Sequence, residues 1–464
     1  MTRTPEQDRD RLIKALDHRA KAVATATAWY DGDHPLPAPP PTSLAATDAE
    51  AKAEYLNQAR LAVTNVCQMI VDVPAEKMLI EGFRFGATPT ATDQIAWRIW
   101  QRNQLDADHI LTNTTALKVG SAPVLVWKGA DGLAEIHVED PSQVVVAYAP
   151  GSRRRREAAL KRWVDEDGMS YVTLYRPEGV YKWVSKEKVR AGTSTVWVQR
   201  TVDGDPSWPL PNPFGQQIPM VEIRANHGLK AAAYGGGVPE FQCILTDQMR
   251  LNATVLSRLI TEKHQAYIQR WASDWDYPVD EDGKPDKHAM RRAGASQLWA
   301  LNSDPNSDRG VQVGEFKQAN FRPFIDIEAA TLKLIAAKSG TAPHAFLLGD
   351  LVNVASDALA RIDARQAAKV RRHFAEMSDP WEEIMRLALI AEGAEGAGDT
   401  SSSVVWADPV ERTATEQSMT ATTLKAVGAP QQAVFEAMPG VTQQEARRWV
   451  IEGQTEALLS DVTV

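Results

Sequence analysis

The sequence predicts an α+β fold in which a block of strands is flanked by long helices. Between Ser121 and Asn226 apolar residues alternate with a period near two, which is typical of half-buried strands. Before and after this block they recur at helical spacing. A third observation is the stretch 341–355, which is too apolar for an ordinary surface loop and too broken by proline and glycine for a helix.

The composition is that of a globular protein with two or three domains. The 464 residues are 44% hydrophobic and 24% charged. A formal net charge of -9 argues against tight, sequence-independent wrapping of nucleic acid, although local basic strips are compatible with it. The sequence has no secretory leader and no apolar run near the roughly 18 residues of a membrane span, so we expect no membrane location.

The chain before Gly120 is predicted to be mostly helical. Apolar spacing predicts helices at Thr4–Ala28, Asp48–Met78, Ala91–Gln104 and Ala107–Val119, and a short strand at Glu81–Phe85. Two cysteines, Cys67 and Cys243, fall inside helical patterns and are predicted to be buried thiols in a reducing compartment.

Eight strands are predicted between Ser121 and Asn226. Turn signals such as Glu166-Asp167-Gly168 separate them and favour antiparallel hairpins. One hairpin connection carries four consecutive arginines, Arg153–Arg156. This run either forms a solvated loop or contacts an acidic partner or phosphates.

A long helix is predicted from Pro239 to Trp271, directly after three glycines. Its 33 residues would extend about 50 Å at a rise of 1.5 Å per residue, more than a compact domain needs. An acid-rich stretch at residues 273–288 follows, and then two strand patterns at 297–301 and 311–316.

Two further long helices flank the apolar stretch. The first runs from Phe324 to Lys338 and ends at Ser339-Gly340. The second starts at the N-cap signal Ser356-Asp357, carries a strip of four basic residues and is predicted to be re-capped and kinked at Pro380. The Gly/Ser-rich linker 392–403 and three short helices complete the chain.

The sequence carries none of the common catalytic or metal-binding motifs. Walker, His-Glu-x-x-His, Gly-x-Ser-x-Gly and paired Cys-x-x-Cys patterns do not occur, and the nine histidines are not clustered at ligand spacing. We therefore expect a protein without catalytic residues, metal or cofactor.

Seven short strings stand out along the chain: Leu117–Gly120, Gly237–Phe241, Leu298–Leu301, Val313–Phe316, Gly340–Pro343, Leu347–Gly349 and Ser356–Leu359. In this order, they resemble strings of the portal (head-to-tail connector) proteins of long-tailed bacteriophages, and the resemblance covers about residues 45–392.

The resemblance implies the regions of a portal fold. These are an α/β wing at residues 1–234 with part of 356–400, stem helices at 235–271 and 322–340, a small α/β clip at 272–321, a tunnel loop at 341–355, a kinked helix and linker at 356–400, and a helical crown at 401–464.

The resemblance also assigns three candidate sites. The tunnel loop would face a DNA channel or pack between subunits, through Phe346, Leu347, Leu348, Asp350, Leu351, Val352 and Asn353. The clip would contact terminase and an adaptor, or form a solvated loop, at Asp274, Trp275, Asp276, Asp280 and Asp282. A basic helix strip would form intersubunit or intrahelical ion pairs, or contact DNA phosphates, through Arg361, Arg365, Lys369 and Arg372.

The function that the resemblance implies is that of a non-enzymatic ring of about twelve copies at one capsid vertex of a virion. Double-stranded DNA would pass through it without sequence specificity during packaging and ejection. The terminase large subunit, a head-completion or adaptor protein and the major capsid protein would be partners, with assembly in the host cytoplasm and no membrane involved. The alternatives are a minor capsid or scaffold-like structural protein and an enzyme with a site that lacks known motifs.

Overall fold

The computed structural model divides into two compact units. Unit 1 comprises Met1–His34, Asn65–Ile244 and Ala336–Val464, and unit 2 comprises Pro35–Thr64 and Leu245–Ile335. The structure describes residues 3–41, 47–86, 91–188, 195–201, 207–228, 237–266, 270–273, 312–315, 319–346, 356–394, 396–410, 414–438 and 440–462.

Helices and strands are largely segregated along the chain, as in an α+β fold. The helices are α1 Pro5–Asp31, α2 Ala49–Leu61, α3 Val66–Ala75, α4 Ala91–Arg102, α5 Leu105–Val119, α6 Leu245–Ala266, α7 Arg322–Ser339, α8 Ser356–Glu392, α9 Ala414–Ala426, α10 Gln431–Glu436 and α11 Gln443–Val462. Short 3-10 helices lie at Glu240–Ile244 and Pro343–Ala345. None of the described helices is both long and apolar enough to cross a bilayer.

The strands form four antiparallel sheets among the described residues. They are β1 Ile80–Arg84, β2 Ser121–Lys128, β3 Ala134–Val138, β4 Val144–Tyr148, β5 Arg156–Val164, β6 Ser170–Arg176, β7 Gly179–Ser185, β8 Trp197–Gln199, β9 Met220–Arg224, β10 Arg270–Ser273, β11 Gln312–Glu315 and β12 Ser403–Trp406. Their order is β4-β5-β6-β7-β8, β3-β2-β9, β1-β12 and β10-β11.

The five-stranded sheet is the centre of the core of unit 1. Leu12 and Leu16 of α1 are fully buried against one face, where they meet Val145 and Leu160. The opposite face packs with Leu125 and Met220 of the three-stranded sheet. Strand β4 therefore buries both faces, which explains its continuous apolar sequence.

Helix α8 packs against β2 and β9 of the three-stranded sheet. Its C-terminal half is anchored by Trp381, which is fully buried, donates a hydrogen bond to Asn113 Oδ1 at 3.1 Å and lies 5.5 Å from Trp100 between ring centroids. Pro380 lies inside this helix, which runs without interruption from Ser356 to Glu392. The predicted new cap at Pro380 is therefore wrong, because the tertiary packing of Trp381 and its neighbours holds the helix across the proline.

Unit 2 contains α2, α6 and the first part of α7. Asn252 of α6 accepts a hydrogen bond from the Thr64 backbone N–H at 3.1 Å, and Arg258 is paired with Glu328 of α7 at 2.8 Å. Strands β10 and β11 pair antiparallel, with Trp271 opposite Gly314.

Two further predictions about helices are wrong. The segment Asp48–Met78 is two helices, α2 and α3, with a break at residues 62–65 where Asn65 donates its side-chain amide to Tyr30 O at 2.6 Å. The long helix after the glycines is shorter, because residues 240–244 form a 3-10 helix and Trp271 belongs to β10. Helix α6 thus has 22 residues and extends about 33 Å.

The exposure of Cys243 differs from its prediction, and strand β12 adds an element that was not predicted. Cys67 is buried as predicted, but Cys243 is exposed, because its position in the 3-10 helix faces outward. The strand β12 was not predicted; it pairs with β1, with Phe83 opposite Val404. The eight strands of residues 121–226, their antiparallel hairpins and the three C-terminal helices are confirmed.

Gly120 and Gly237 let two backbone segments touch. Gly120 follows α5 with a φ of 93°, and a Cβ added at Gly237 would lie 1.5 Å from the Gly120 carbonyl oxygen. The next residue, Val238, donates its N–H to Ala225 O at 3.0 Å. Only glycine allows this approach, which fixes the segment leading to Glu240 against the end of β9.

Candidate functional site

The first half of α8 positions a row of charged side chains by its helical spacing. Lys369, His373 and Glu376 follow one another at intervals of four and three residues, so they lie on one face. Two other segments meet this face. They are the 3-10 helix that begins at Glu240 and the loop after β9 that contains Asn226, a residue with a positive φ of 52°.

These segments join in a buried charged network. Lys369 Nζ lies 2.6 Å from Glu240 Oε1, with side-chain exposures of 9% and 5%. His373 is fully buried and lies 3.3 Å from Glu240 Oε2 and 3.5 Å from Glu376 Oε2. Asn226 donates its backbone N–H to Glu376 at 2.9 Å and its side-chain amide to Glu240. The network fastens the 3-10 helix and the β9 loop to α8.

The pKa values of the network follow from its opposite charges. Burial alone raises the pKa of Glu240, but the hydrogen bond from His373 and the charges of Lys369 and His373 hold it well below its ordinary value. Burial likewise raises the pKa of Glu376, and His373 and the Asn226 N–H lower it overall. Burial lowers the pKa of His373, whereas hydrogen bonds to both carboxylates raise it by more. The two carboxylates therefore favour the protonated form of His373.

A cleft of about 620 Å³ opens beside this network, and we call it the Glu240 cleft. It is lined by Asn226, residues 238–243, the end of α7 at 338–340, and α8 between Arg365 and Arg372. Four of the lining side chains are cationic and one is a carboxylate. The cations are Lys338, Arg365, Lys369 and Arg372, and the carboxylate is Glu240.

A second cleft of about 490 Å³ lies further along α8, and we call it the arginine cleft. Six arginines and five carboxylates line it, so its charges nearly balance. Arg156, whose side chain is 9% exposed, is paired with Glu383, and Arg386 lies 3.9 Å from the same carboxylate. Arg224 stacks over the Tyr148 ring at 4.7 Å.

The arginine run of the sequence is divided between the inside and the rim of this cleft. Arg156 is held inside, and Arg153 donates to Gly228 O at 3.2 Å. Arg154 is 90% exposed at 4.0 Å from Asp379, and Arg155 is exposed. The solvated-loop interpretation therefore describes Arg154 and Arg155, whereas Arg156 is part of the packing.

The structure describes the contacts of three of the four residues of the basic helix strip on α8. Arg365 donates to Ala337 O at 2.8 Å, Lys369 is the buried partner of Glu240, and Arg372 donates to Asn226 Oδ1 at 2.6 Å with Glu376 at 3.8 Å. The side chain of Arg361 lies outside the described residues. The strip is thus not a purely solvated face, and its contacts with DNA or with other subunits stay a prediction.

Of the candidate residues in the tunnel loop and the clip, the structure describes only Phe346. Phe346 is half-buried and donates its N–H to Pro343 O at 3.1 Å. Leu347, Leu348, Asp350, Leu351, Val352 and Asn353 lie outside the described residues, as do Asp274, Trp275, Asp276, Asp280 and Asp282. Among the residues that are described, no group of three or more His, Cys, Asp or Glu could hold a metal ion.

Sequence reasoning missed Glu240, His373 and Glu376 as a unit. His373 and Glu376 continue the spacing of Lys369 on α8, and this pattern was available in the sequence. Glu240 is 133 and 136 positions away from them in the sequence, and only the fold brings it close to them. A buried ion pair between segments that are far apart in the chain leaves no local pattern in the sequence.

The family match and the curated relatives of this chain both point to phage portal proteins. Residues 9–457 match the family described as phage portal protein, SPP1 Gp6-like. Relatives that carry the name portal protein, from Mycobacterium phages D29 and L5, are each 24% identical over 423 residues, which cover 87% of this chain and 79% of theirs.

Solved structures with a similar backbone come from gene transfer agent particles. One is the virion of the native particle, with a TM-score of 0.42 and 14% identity over 81% of this chain and 90% of that chain. Another is the neck of the native particle computed with C12 symmetry, with a TM-score of 0.43 and 12% identity over 80% and 86%.

Proposed function

The chain belongs to the phage portal protein family of the SPP1 Gp6-like type, and we propose that it forms a ring of about twelve copies around a channel for double-stranded DNA at one capsid vertex. The family match, which spans nearly the whole chain, carries this proposal. DNA would enter during packaging and leave during ejection. The partners would be the terminase large subunit, a head-completion or adaptor protein and the major capsid protein, with assembly in the host cytoplasm.

A ring needs surfaces that meet a neighbouring copy. In unit 2, Ile327 and Leu334 of α7 are seven residues apart on one helical face, and they are 49% and 37% exposed. Leu61 of α2 and Met249 of α6 are 79% and 48% exposed. Single exposed apolar residues are ordinary. In unit 2, three helices expose large apolar side chains. This supports the proposal that neighbouring copies meet through unit 2.

The net charge supports a conduit. At -9 per chain, the ring as a whole would hold the phosphate backbone weakly. The apolar tunnel loop fits the same purpose, because side chains such as Leu347 and Leu351 offer DNA no charge to bind. We propose that these residues and Phe346 face the channel.

The assembly is tested by measuring particle mass. Twelve copies of the 51.0 kDa chain weigh about 610 kDa, and negative-stain images should show rings with an axial hole. Ile327→Ser with Leu334→Ser should lower the fraction of rings while leaving the fold of the single chain intact. Lys333→Ala, on the same helix and also exposed, is the matched control. A monomer or small oligomer for the unaltered chain would overturn the proposal.

The tunnel loop is tested separately. Deleting residues 347–353 should leave ring mass unchanged and reduce packaging or retention of DNA. Unchanged packaging would show that the loop packs elsewhere.

A further inference from the structure

The hairpin turn that connects β4 and β5 presents a free arginine to solvent. Residues 149–156, which we call the arginine turn, contain four arginines and no carboxylate. Arg154 and Arg156 have carboxylate partners, and Arg153 donates to a backbone carbonyl. Arg155 is exposed, and its side chain has no hydrogen bond or ion pair with any residue that the structure describes. The turn therefore keeps a cation that no described carboxylate neutralises.

The turn at the other end of β5 is acidic. It consists of Asp165, Glu166, Asp167 and Gly168, and we call it the acidic turn. Asp165 accepts the Met169 N–H at 2.8 Å, so its carboxylate holds the turn together. Glu166 and Asp167 are exposed, and neither side chain has a hydrogen bond or an ion pair within the described part of the chain. This turn therefore keeps two carboxylates without a cation.

The surroundings of the acidic turn fit a contact with protein. The exposed residues 186–188, Lys-Glu-Lys, follow β7 at the same end of the sheet. Together with residues 165–167 they give two lysines and four carboxylates, a net charge of -2. Val164 and Val196 are 56% and 62% exposed at this end. Protein interfaces combine apolar and charged side chains in this way, whereas the carboxylates would repel a nucleic acid.

The two turns cannot meet within one chain. Strand β5, which joins them, has nine residues and spans about 30 Å. In a ring built from head-to-tail contacts, however, different surfaces of the same chain meet across each interface. Copies with a net charge of -9 repel one another, so such an interface needs local pairs of opposite charge.

Both turns have fixed backbones before any contact. Ser152 Oγ accepts the N–H groups of Arg154 and Arg155 at 3.3 Å and 2.9 Å. The Gly168 N–H donates to Asp165 O at 3.1 Å, at a φ of 83° that suits glycine. A contact between the turns would therefore cost little additional ordering of the chain.

We propose that, in the ring, Arg155 of one copy forms ion pairs with Glu166 and Asp167 of the partner subunit. This inference rests on the proposed function, because it needs a ring. It adds the residues through which neighbouring copies of an acidic chain attract one another.

Charge reversal on the full-length chain tests this contact. Arg155→Glu places a carboxylate opposite two others, and Glu166→Lys with Asp167→Lys places two cations opposite an arginine. Each change should lower the fraction of chain in rings several-fold, measured by analytical ultracentrifugation at one protein concentration. The combined variant, Arg155→Glu with Glu166→Lys and Asp167→Lys, should recover rings, because opposite charges again face each other.

Arg98→Glu is the matched control. Arg98 is an exposed arginine of α4 whose side chain has no hydrogen bond or ion pair among the described residues, and its reversal changes the charge by the same amount. It should leave rings intact. Raising the salt concentration from about 0.05 M to about 0.5 M should reduce the difference between Arg155→Glu and Arg98→Glu, because salt screens exposed charges. Thermal unfolding of each variant checks that the fold is kept.

The outcomes separate this contact from ring formation itself. The contact is refuted if Arg155→Glu assembles as Arg98→Glu does, or if the combined variant assembles as poorly as the separate ones. Normal rings of Arg155→Glu with weaker binding of a short DNA duplex would assign the arginine turn to DNA instead. An unaltered chain that forms no rings overturns the proposed function and this contact with it, whereas rings that none of these changes affects overturn the contact alone.

Discussion

The two clefts beside α8 are lined by the same kinds of side chain, and Arg372 lines both of them. In the arginine cleft six arginines face five carboxylates, so the chain supplies its own partners. In the Glu240 cleft the single lining carboxylate is buried and is shared by Lys369 and His373. The ion pairs of the arginine cleft are partly exposed and have alternative partners, so the loss of one partner should cost more stability at Glu240 than in the arginine cleft.

The largest expected effect is on the buried pair of the Glu240 cleft. Glu240→Ala leaves Lys369, which is 9% exposed, without its carboxylate, and His373 loses one of its two. Breaking a buried pair costs about 3–5 kcal/mol of unfolding free energy. Urea titration of both chains measures this loss.

The control for this prediction replaces both partners. Glu240→Leu with Lys369→Met removes the pair without leaving a lone buried charge, so it should lose less stability than Glu240→Ala. An equal loss in the double variant would mean that the ion pair is not the cause.

A smaller effect is expected in the arginine cleft. Arg156→Met removes the partner of Glu383, but that carboxylate is 28% exposed and keeps Arg386 at 3.9 Å. We expect a loss of about 1.5–3 kcal/mol, the range for hydrogen bonds to charged groups. If Arg156→Met costs as much as Glu240→Ala in urea titrations, the two clefts do not differ in the way that the burial and the alternative partners of their ion pairs indicate.

The stability that the charged network of the Glu240 cleft contributes depends on pH in a direction that the pKa shifts define. The pKa of His373 is raised above 6.5, so its stabilisation is present below that pH and is lost as the pH rises through the folded-state value. The pKa values of Glu240 and Glu376 are lowered, so their stabilisation is present above 4.5 and is lost as the pH falls.

The measurement compares unaltered protein with His373→Gln. The difference in unfolding free energy between them should be greatest in mildly acidic solution and should shrink as the pH rises above 6.5. A difference that does not change with pH would show that His373 acts only through its shape.

The smallest effect is expected at the rim of the arginine cleft. Arg154 is 90% exposed and lies 4.0 Å from Asp379, which is 76% exposed, so solvent screens the pair. Arg154→Ala should leave the thermal unfolding midpoint unchanged within error. A clear decrease would mean that Arg154 has another contact, such as one to a neighbouring copy.

The sequence predicted features that depend on local signals. The alternation of Val144–Val146 gave a strand, and Gly340, with a φ of 70°, ends α7 where a glycine cap was expected. The two clefts were only partly predictable. The basic spacing of α8 was visible, but the burial of Lys369 depends on Glu240, which is far away in the chain. The sequence also predicted a new cap and a kink at Pro380, where packing of Trp381 maintains a continuous helix.

The pairing of β12 with β1 has a practical meaning for anyone shortening this protein. Ile80–Arg84 has its partner in Ser403–Trp406, more than three hundred positions later. A version cut before Ser403 would present an unpaired strand edge, which invites self-association and precipitation. Expression of trimmed versions should therefore keep the chain through Trp406, even where the helices beyond it are to be removed.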